Sequence, residues 1–294
     1  MKSKTADRVA TWAFWLAAGV ILAVLAVLVG YILYRGLPVL SPKFLFGRSE
    51  SVRAGGGIGP QLFDSFYLLC LSTLFTVPLG VGAAIYLAEY ARPGRLLELI
   101  RTSTETLASL PSIVAGLFGL LVFVNLTGWG YSLMAGALVL TLLNLPVMVR
   151  VTEDSLRAVP TSLREASLAL GATKWQTIWH VLLPVALPGI VTGVIITAGR
   201  ALGEAAALLY TAGQSIGALD FSNWDITSPR SPLNPFRPGE TLAVHVWKVN
   251  TEGKIPDIRR VADGTAATLV LVVLLFNVAV RWFTHRLRRR LQGA

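Results

Sequence analysis

The sequence predicts an all-α membrane protein built on six transmembrane helices, and three observations carry that expectation. Hydrophobic residues make up 54% of the 294 residues and charged residues only 14%, whereas a water-facing domain carries about 25% charged residues. Mean hydropathy is +0.63. Six apolar runs, roughly Thr11–Tyr34, Phe66–Tyr90, Thr106–Leu126, Tyr131–Val149, Pro188–Ala212 and Thr265–Trp282, each approach the ~20 residues that cross ~30 Å of hydrocarbon.

Lys and Arg set the orientation. With both termini in the cytoplasm, fifteen of the 26 fall inside and ten outside, with Arg200 inside a span. Most of the outer ones sit in a long loop, where the positive-inside rule counts them least. The net charge of +10 then reflects topology and attraction to anionic lipid. Nucleic acid is not an expected partner, because the cations flank spans and do not gather on one face with aromatic residues.

Taken in order, the first run is too long for a secretory signal core. Tyr34-Arg35-Gly36-Leu37-Pro38 offers no small-x-small cleavage site, so the run reads as a retained helix. The outer loop Arg35–Gln61 ends in Gly55-Gly56-Gly57-Ile58-Gly59-Pro60, either a flexible turn into the next helix or a nest of N–H groups. Cys70, the only cysteine, lies in the second run, so no intrachain disulfide forms. Glu89 closes that run and is expected to meet Arg92 or Arg95. In the fourth run Asn144 either lines a path or bonds to a neighbouring helix.

Between the fourth and fifth runs lies a structured cytoplasmic loop, residues 160–184. Ser162-Leu163-Arg164-Glu165 fits a capping box with Ser162 as N-cap, and Leu163, Ala166 and Leu170 fall on one helical face. Gly171 can stop that helix in the left-handed conformation. Thr173-Lys174-Trp175-Gln176 is a second capping box, starting a helix with Trp175, Ile178, Trp179 and Leu182 on one side. Its tryptophans place it along the inner membrane surface, with Pro184 and Pro188 breaking the chain before the fifth run.

The fifth run carries Arg200 and Glu204. Arg200 lies 12 residues past Pro188, about 18 Å along a helix and close to the bilayer midplane. Each charge there costs on the order of 2.5–3.5 kcal/mol. At i, i+4 in one helix the two would share a face and pair. Such a pair either orients helix packing or marks an ion path, and the path is the reading favoured here. A guanidinium can hold two oxygens of an oxyanion. A carboxylate repels the anion unless the anion donates a proton, which phosphate can do and sulfate cannot, so the pair would select phosphate. The long outer loop, 213–264, carries five prolines and one plausible regular piece, Gly239–Thr251, and reads either as a lid or docking surface or as a disordered segment.

Glu165-Ala166-Ser167-x₃-Gly171-x₉-Val181-x-Leu183-Pro184 resembles the signature loop of prokaryotic ABC importer permeases, with Ser167 in place of an alanine and Val181 in place of isoleucine. Ala84-Ile-Tyr-Leu-Ala-Glu89-Tyr-Ala, Leu110-Pro111-Ser-Ile-Val-Ala-Gly-Leu-Phe-Gly119, Leu145-Pro146-x₃-Arg150-x-Thr152-Glu153 and Arg200-Ala-Leu-Gly-Glu204 narrow the resemblance to the PstA-type permease of the phosphate importer. Where that family often has Gly-Glu-Thr-Ala-Pro, this chain has Gly203-Glu204-Ala205-Ala206-Ala207.

The resemblance implies a MetI-like ABC importer permease core with a cytoplasmic coupling helix. It divides the chain into an N-terminal helix and outer loop (1–65), a permease domain (66–284) and a basic tail (285–294). Glu165, Ala166, Ser167, Gly171, Leu183 and Pro184 would then dock and couple an ATPase, while Arg200 and Glu204 line the substrate path. The implied partners are a PstC-type permease, two ATPase subunits and an extracytoplasmic phosphate-binding protein. ATP and Mg belong to the ATPase, since this sequence has no Gly-x₄-Gly-Lys-Ser/Thr loop. The rivals are a permease for sulfate or molybdate and a proton-coupled secondary transporter. An intramembrane enzyme is disfavoured, because the runs hold no metal-ligand histidine cluster or nucleophile–base pair.

Overall fold

The computed structural model describes residues 2–50, 54–217, 219–252 and 256–291, and all regular structure among them is helical. The chain enters as α1 (Lys2–Gly36), a 3₁₀ turn at Leu37–Val39, and the short α2 (Pro42–Phe46). The second span, α3 (Gly59–Ile85), widens into a π-type turn at Tyr86–Tyr90. After α4 (Arg95–Ala108) and α5 (Ser112–Gly119, with a wide turn to Leu126) comes α6 (Leu133–Arg157). On the cytoplasmic side lie α7 (Thr161–Ala169) and α8 (Lys174–Thr177), then a wide turn at Ile178–Leu182 leads into α9 (Leu183–Gly203). A single turn, α10 (Ala206–Leu209), the outer helix α11 (Leu242–Glu252) and the last span α12 (Ile258–Leu291) complete the chain. Most of the tail's arginine side chains (residues 288–290) lie outside the described residues. Among the described residues five helices are long and apolar enough to cross a membrane, or six when the bent pair α4/α5 counts as one span.

The sixfold expectation holds in outline, with three corrections. The third run is not one straight helix. Pro111 has no N–H to continue α4 and biases Leu110 away from helical backbone, so α4 and α5 meet at 99°. The helix after Thr173 does not end before the fifth span: Lys174–Gly203 is continuous. Pro184 sits in the first turn of α9, just after the wide turn, and Pro188 lies inside the helix. Finally, the fifth span stops at Gly203, and the chain is extended at Glu204 (φ −75°, ψ 128°) before α10.

The core is organised around α6, buried along most of its length. It packs on α3 where Gly80 meets Met148, and on α9 where Gly189 meets Ser155 and Gly193 meets Val151. Ala207 sits against Gly116 of α5 so closely that a Cβ there would lie 2.8 Å from the Ala207 Cα. Small residues at these crossings let backbones approach, the contact that drives helix association where lipid is as apolar as leucine.

Candidate functional site

At the cytoplasmic end, α7 begins at Thr161 with Pro160 in the N-cap position and no side-chain cap. The expected Ser162 cap is therefore wrong: the helix starts one residue before Ser162, with the Pro160 carbonyl accepting from the Leu163 N–H at 3.2 Å. Glu165 stays exposed with no role as a cap. The far end follows expectation. Gly171 has φ +87°, its N–H bonds to the Leu168 carbonyl and that of Ala172 to Ser167, a Schellman closure that favours glycine. Thr173 and Gln176 form the second capping box as expected.

Ser167 and Thr177 share a hydroxyl–hydroxyl contact of 3.0 Å, tying α7 to α8. Ile178 and Leu182 turn fully into the core, while Trp175 and Trp179 remain half exposed and meet edge to face at 5.7 Å. Leu183 and Pro184 form the first turn of α9. The side left open on α7 and its stop carries Leu163, Glu165, Ala166 and Leu170, the last 90% exposed.

Glu89 does not pair with Arg92 or Arg95. Its carboxylate, nearly buried, meets Arg164 of α7 at 2.6 Å. Lys174 donates to the Glu89 carbonyl and lies 4.7 Å from the Tyr90 ring centre. The sequence places Glu89 at the inner end of α3 but cannot show that the loop returns to it. Through this pair the cytoplasmic loop holds α3 directly. Nearby, Glu153 of α6 accepts from Arg101 at 2.6 Å and Arg157 at 2.8 Å.

Arg200 and Glu204 are not paired. The helix break puts them in different elements, and among the described residues no ion pair joins them. Each charge instead meets a helix end of opposite sign. Arg200 occupies the last turn of α9, where the carbonyl end favours a cation by about 0.3–1 kcal/mol or more. The Glu204 Oε1 accepts from the Ala207 N–H at 3.2 Å, closing the turn of α10.

Arg200 is exposed and has no hydrogen-bond or ion-pair partner among the described residues. It shares an open face of α9 with Val185 and Ile196. The antiparallel register of α6 and α9, Ser155 beside Gly189 and Val151 beside Gly193, continues to put Arg200 level with Asn144. Asn144 lies eleven residues, about 16 Å, into the 25-residue α6, close to the middle of that helix. Asn144 is 2% exposed and its Oδ1 has no partner, so the expected bond from that oxygen to a neighbouring helix is not made.

A second charged site escaped the sequence reading. Asp64, two residues before the predicted second run at Phe66, is fully buried and takes a two-pronged bond from Arg237: Nη1 at 3.2 Å and Nη2 at 2.5 Å. Arg237 also donates to the carbonyls of Pro232 and Pro238. Beside it Glu240 meets His245 at 3.1 Å, Gln61 at 3.3 Å and Lys248 at 3.4 Å. The outer loop is thus pinned to the top of α3 through α11, and Gly239–Thr251 is helical over Leu242–Glu252, close to expectation. Only the unusual placing of Asp64 beside an apolar run signalled this.

The family model described as "Binding-protein-dependent transport system inner membrane component" matches residues 76–293. The chain is 53% identical over 291 residues, 99% of both chains, to the probable ABC transporter permease protein YqgI of Bacillus subtilis (strain 168). It is 34% identical over 257 residues, 86% of this chain and 84% of the other, to the phosphate transport system permease protein PstA of Haemophilus influenzae. Among solved structures it superposes on a chain of the MetNI methionine ABC transporter with a TM-score of 0.59 at 23% identity, covering 77% of this chain and 94% of that one.

Proposed function

This chain belongs to the family of binding-protein-dependent transport system inner membrane components, a transport component and not an enzyme, and on that premise we propose that it conducts inorganic phosphate through an ATP-driven importer. The observation that carries the cargo is Arg200: a guanidinium near the midplane, exposed on the chain and without a carboxylate partner among the described residues. A phosphate can take two of its N–H groups at once. That several relatives at 32–36% identity are phosphate permeases supports the same cargo.

The corrected geometry refines the selectivity argument. One oxygen of Glu204 is committed to the Ala207 N–H, which leaves the other as an acceptor facing any anion that reaches this level. Phosphate at neutral pH still carries an O–H to donate, and sulfate does not, so sulfate meets an uncompensated negative charge.

On the open face of α9, a PstC-type permease would complete the path. Glu165, Ala166, Ser167, Gly171, Leu183 and Pro184 would form the seat for one of two ATPase subunits, with ATP and Mg held there, and a phosphate-binding protein would deliver from outside. The Arg164–Glu89 bond gives ATPase closure a direct route to α3.

Uptake by proteoliposomes holding the complete transporter tests the reading. Phosphate accumulates with ATP; Arg200→Ala abolishes it. Glu204→Gln keeps the bond to Ala207 and removes only the charge, so it should admit sulfate while leaving assembly unchanged. Undiminished uptake by Arg200→Ala, or equal phosphate and sulfate transport by wild type, would overturn the assignment. The first of these relatives has no substrate in its name, which is why sulfate and molybdate belong in the same assay.

A further inference from the structure

On the outer side, a groove of about 1160 Å³ runs between the first turns of α3, the segment 46–50 and the outer-loop segment 216–222. Four phenylalanines wall it: Phe46, Phe63, Phe66 and Phe221. Phe63 and Phe221 meet edge to face at 5.4 Å, while Phe46, Phe66 and Phe221 are 75%, 42% and 48% exposed. Arg48 and Arg230 line it too, exposed and with no side-chain hydrogen bond or ion pair among the described residues. Two carboxylates, Glu50 and Asp220, line it with them.

The segment beside the groove is prefolded. The Asp220 carboxylate accepts from the Ser222 hydroxyl and N–H at 2.6 and 3.0 Å, and the Asp220 N–H bonds to the Arg230 carbonyl at 2.9 Å. The Ser222 hydroxyl, then its N–H, holds the Asp220 carboxyl below the usual aspartate range, with Arg230 and Arg48 adding to the effect. Both guanidiniums therefore stand near one carboxylate, of which a single oxygen, Oδ1, is taken by Ser222.

The depth of the groove follows from helix length. The helix Gly59–Tyr90 has 32 residues, about 48 Å against ~30 Å of hydrocarbon, so it overhangs the bilayer core. Phe63 and Phe66 lie about 6 and 10 Å in from its outer end at Gly59, a depth that suits the headgroup zone. Irregular backbone such as 219–222 is excluded from hydrocarbon but stable at that level, and aromatic residues concentrate there.

We propose that this groove seats one outer-leaflet phospholipid with a zwitterionic headgroup. Arg48 and Arg230 hold its phosphate, Glu50 and Asp220 face its ammonium, and the phenylalanines cover the first carbons of its acyl chains. The balance of two cations and two carboxylates matches a zwitterion better than an anion. Free phosphate would satisfy the arginines and leave the aromatic walls wet.

The test is photocrosslinking of the complete transporter in proteoliposomes with phosphatidylethanolamine carrying a diazirine near the glycerol end of its acyl chain. Adducts should map to peptides holding Phe63, Phe66 and Phe221. Arg48→Gln with Arg230→Gln should cut those adducts about tenfold while adducts on α1 stay constant. A phosphatidylglycerol probe should label the groove less, with Glu50→Gln narrowing the difference, and added inorganic phosphate should not compete. Wild-type adducts confined to α1 and other bare helices would overturn the proposal, as would cross-links showing the groove filled by another subunit. Competition by free phosphate would place an ion there instead, and equal labelling by both probes would reject the zwitterion. The wild-type map decides the main point even if the double variant fails to assemble.

Discussion

Asp64 and Arg237 are 0% and 4% exposed, and neither could stay charged there without the other. The two parallel N–H···O contacts, with Arg237 also serving two proline carbonyls, make the pair a fastener between α3 and the outer loop. Removing one partner leaves a buried uncompensated charge. Asp64→Asn is therefore expected to destabilise the purified protein by about 3–5 kcal/mol, read as a lower midpoint in thermal unfolding in detergent. A paired replacement by apolar residues should recover much of that loss. An Asp64→Asn midpoint equal to wild type would show the outer loop is held by its apolar contacts alone. At the same scale Arg200 was legible as a charge too costly to be idle. That it stands without an ion-pair partner among the described residues was not. The i, i+4 spacing to Glu204 pointed to a pair, but Gly203-Glu204-Ala205-Ala206-Ala207 has ordinary helix formers everywhere except Gly203. The break there coincides with packing of Ala207 on Gly116, a contact between positions ninety residues apart that no local pattern displays.

Elements in the cytoplasmic loop divide the same way. Caps with a local cause were readable: Thr173 with Gln176, and Gly171 as a stop. The Ser162 cap was not made, because Pro160 starts the helix earlier. What spacing could never show is that α7 reaches back to Glu89. If this bond transmits ATPase closure to α3, Glu89→Gln and Arg164→Gln should each leave ATP hydrolysis by the complete transporter running while ATP-driven uptake falls severalfold. Uptake and hydrolysis falling together would mean that the bond only holds the loop in shape. Gly171→Ala tests the turn itself. There is open space around the added Cβ, so the effect comes from backbone strain alone, about 1–2 kcal/mol for a left-handed non-glycine residue. Its readout is weaker co-purification of the ATPase subunit.

At the scale of the whole molecule, the pattern of burial separates what this chain completes from what it leaves unfinished. α6 is enclosed, whereas the most apolar stretch of the first span buries no residue, its outer end alone meeting α12 where Gly36 abuts Ala267, and α9 keeps an open stripe of Val185, Ile196 and Arg200. Hydropathy made both helices legible as spans but could not tell lipid-facing surface from protein-facing surface, since the two are equally apolar. The charge makes the distinction for α9. An arginine turned toward hydrocarbon at midplane depth costs on the order of 2.5–3.5 kcal/mol even on lenient scales, so that stripe should face protein or a wet path between permeases. With Cys70, the sole cysteine, replaced by alanine, a cysteine at Ile196 should form a short cross-link to the partner permease in the assembled transporter. One at Leu74, 65% exposed on α3, serves as the comparison. Phosphate with ATP should change the yield at Ile196, because the path must open on one side as it closes on the other. A cysteine at Ile196 labelled only by brominated or photoactivatable lipid would place Arg200 outside the path and remove the main physical ground for a phosphate cargo.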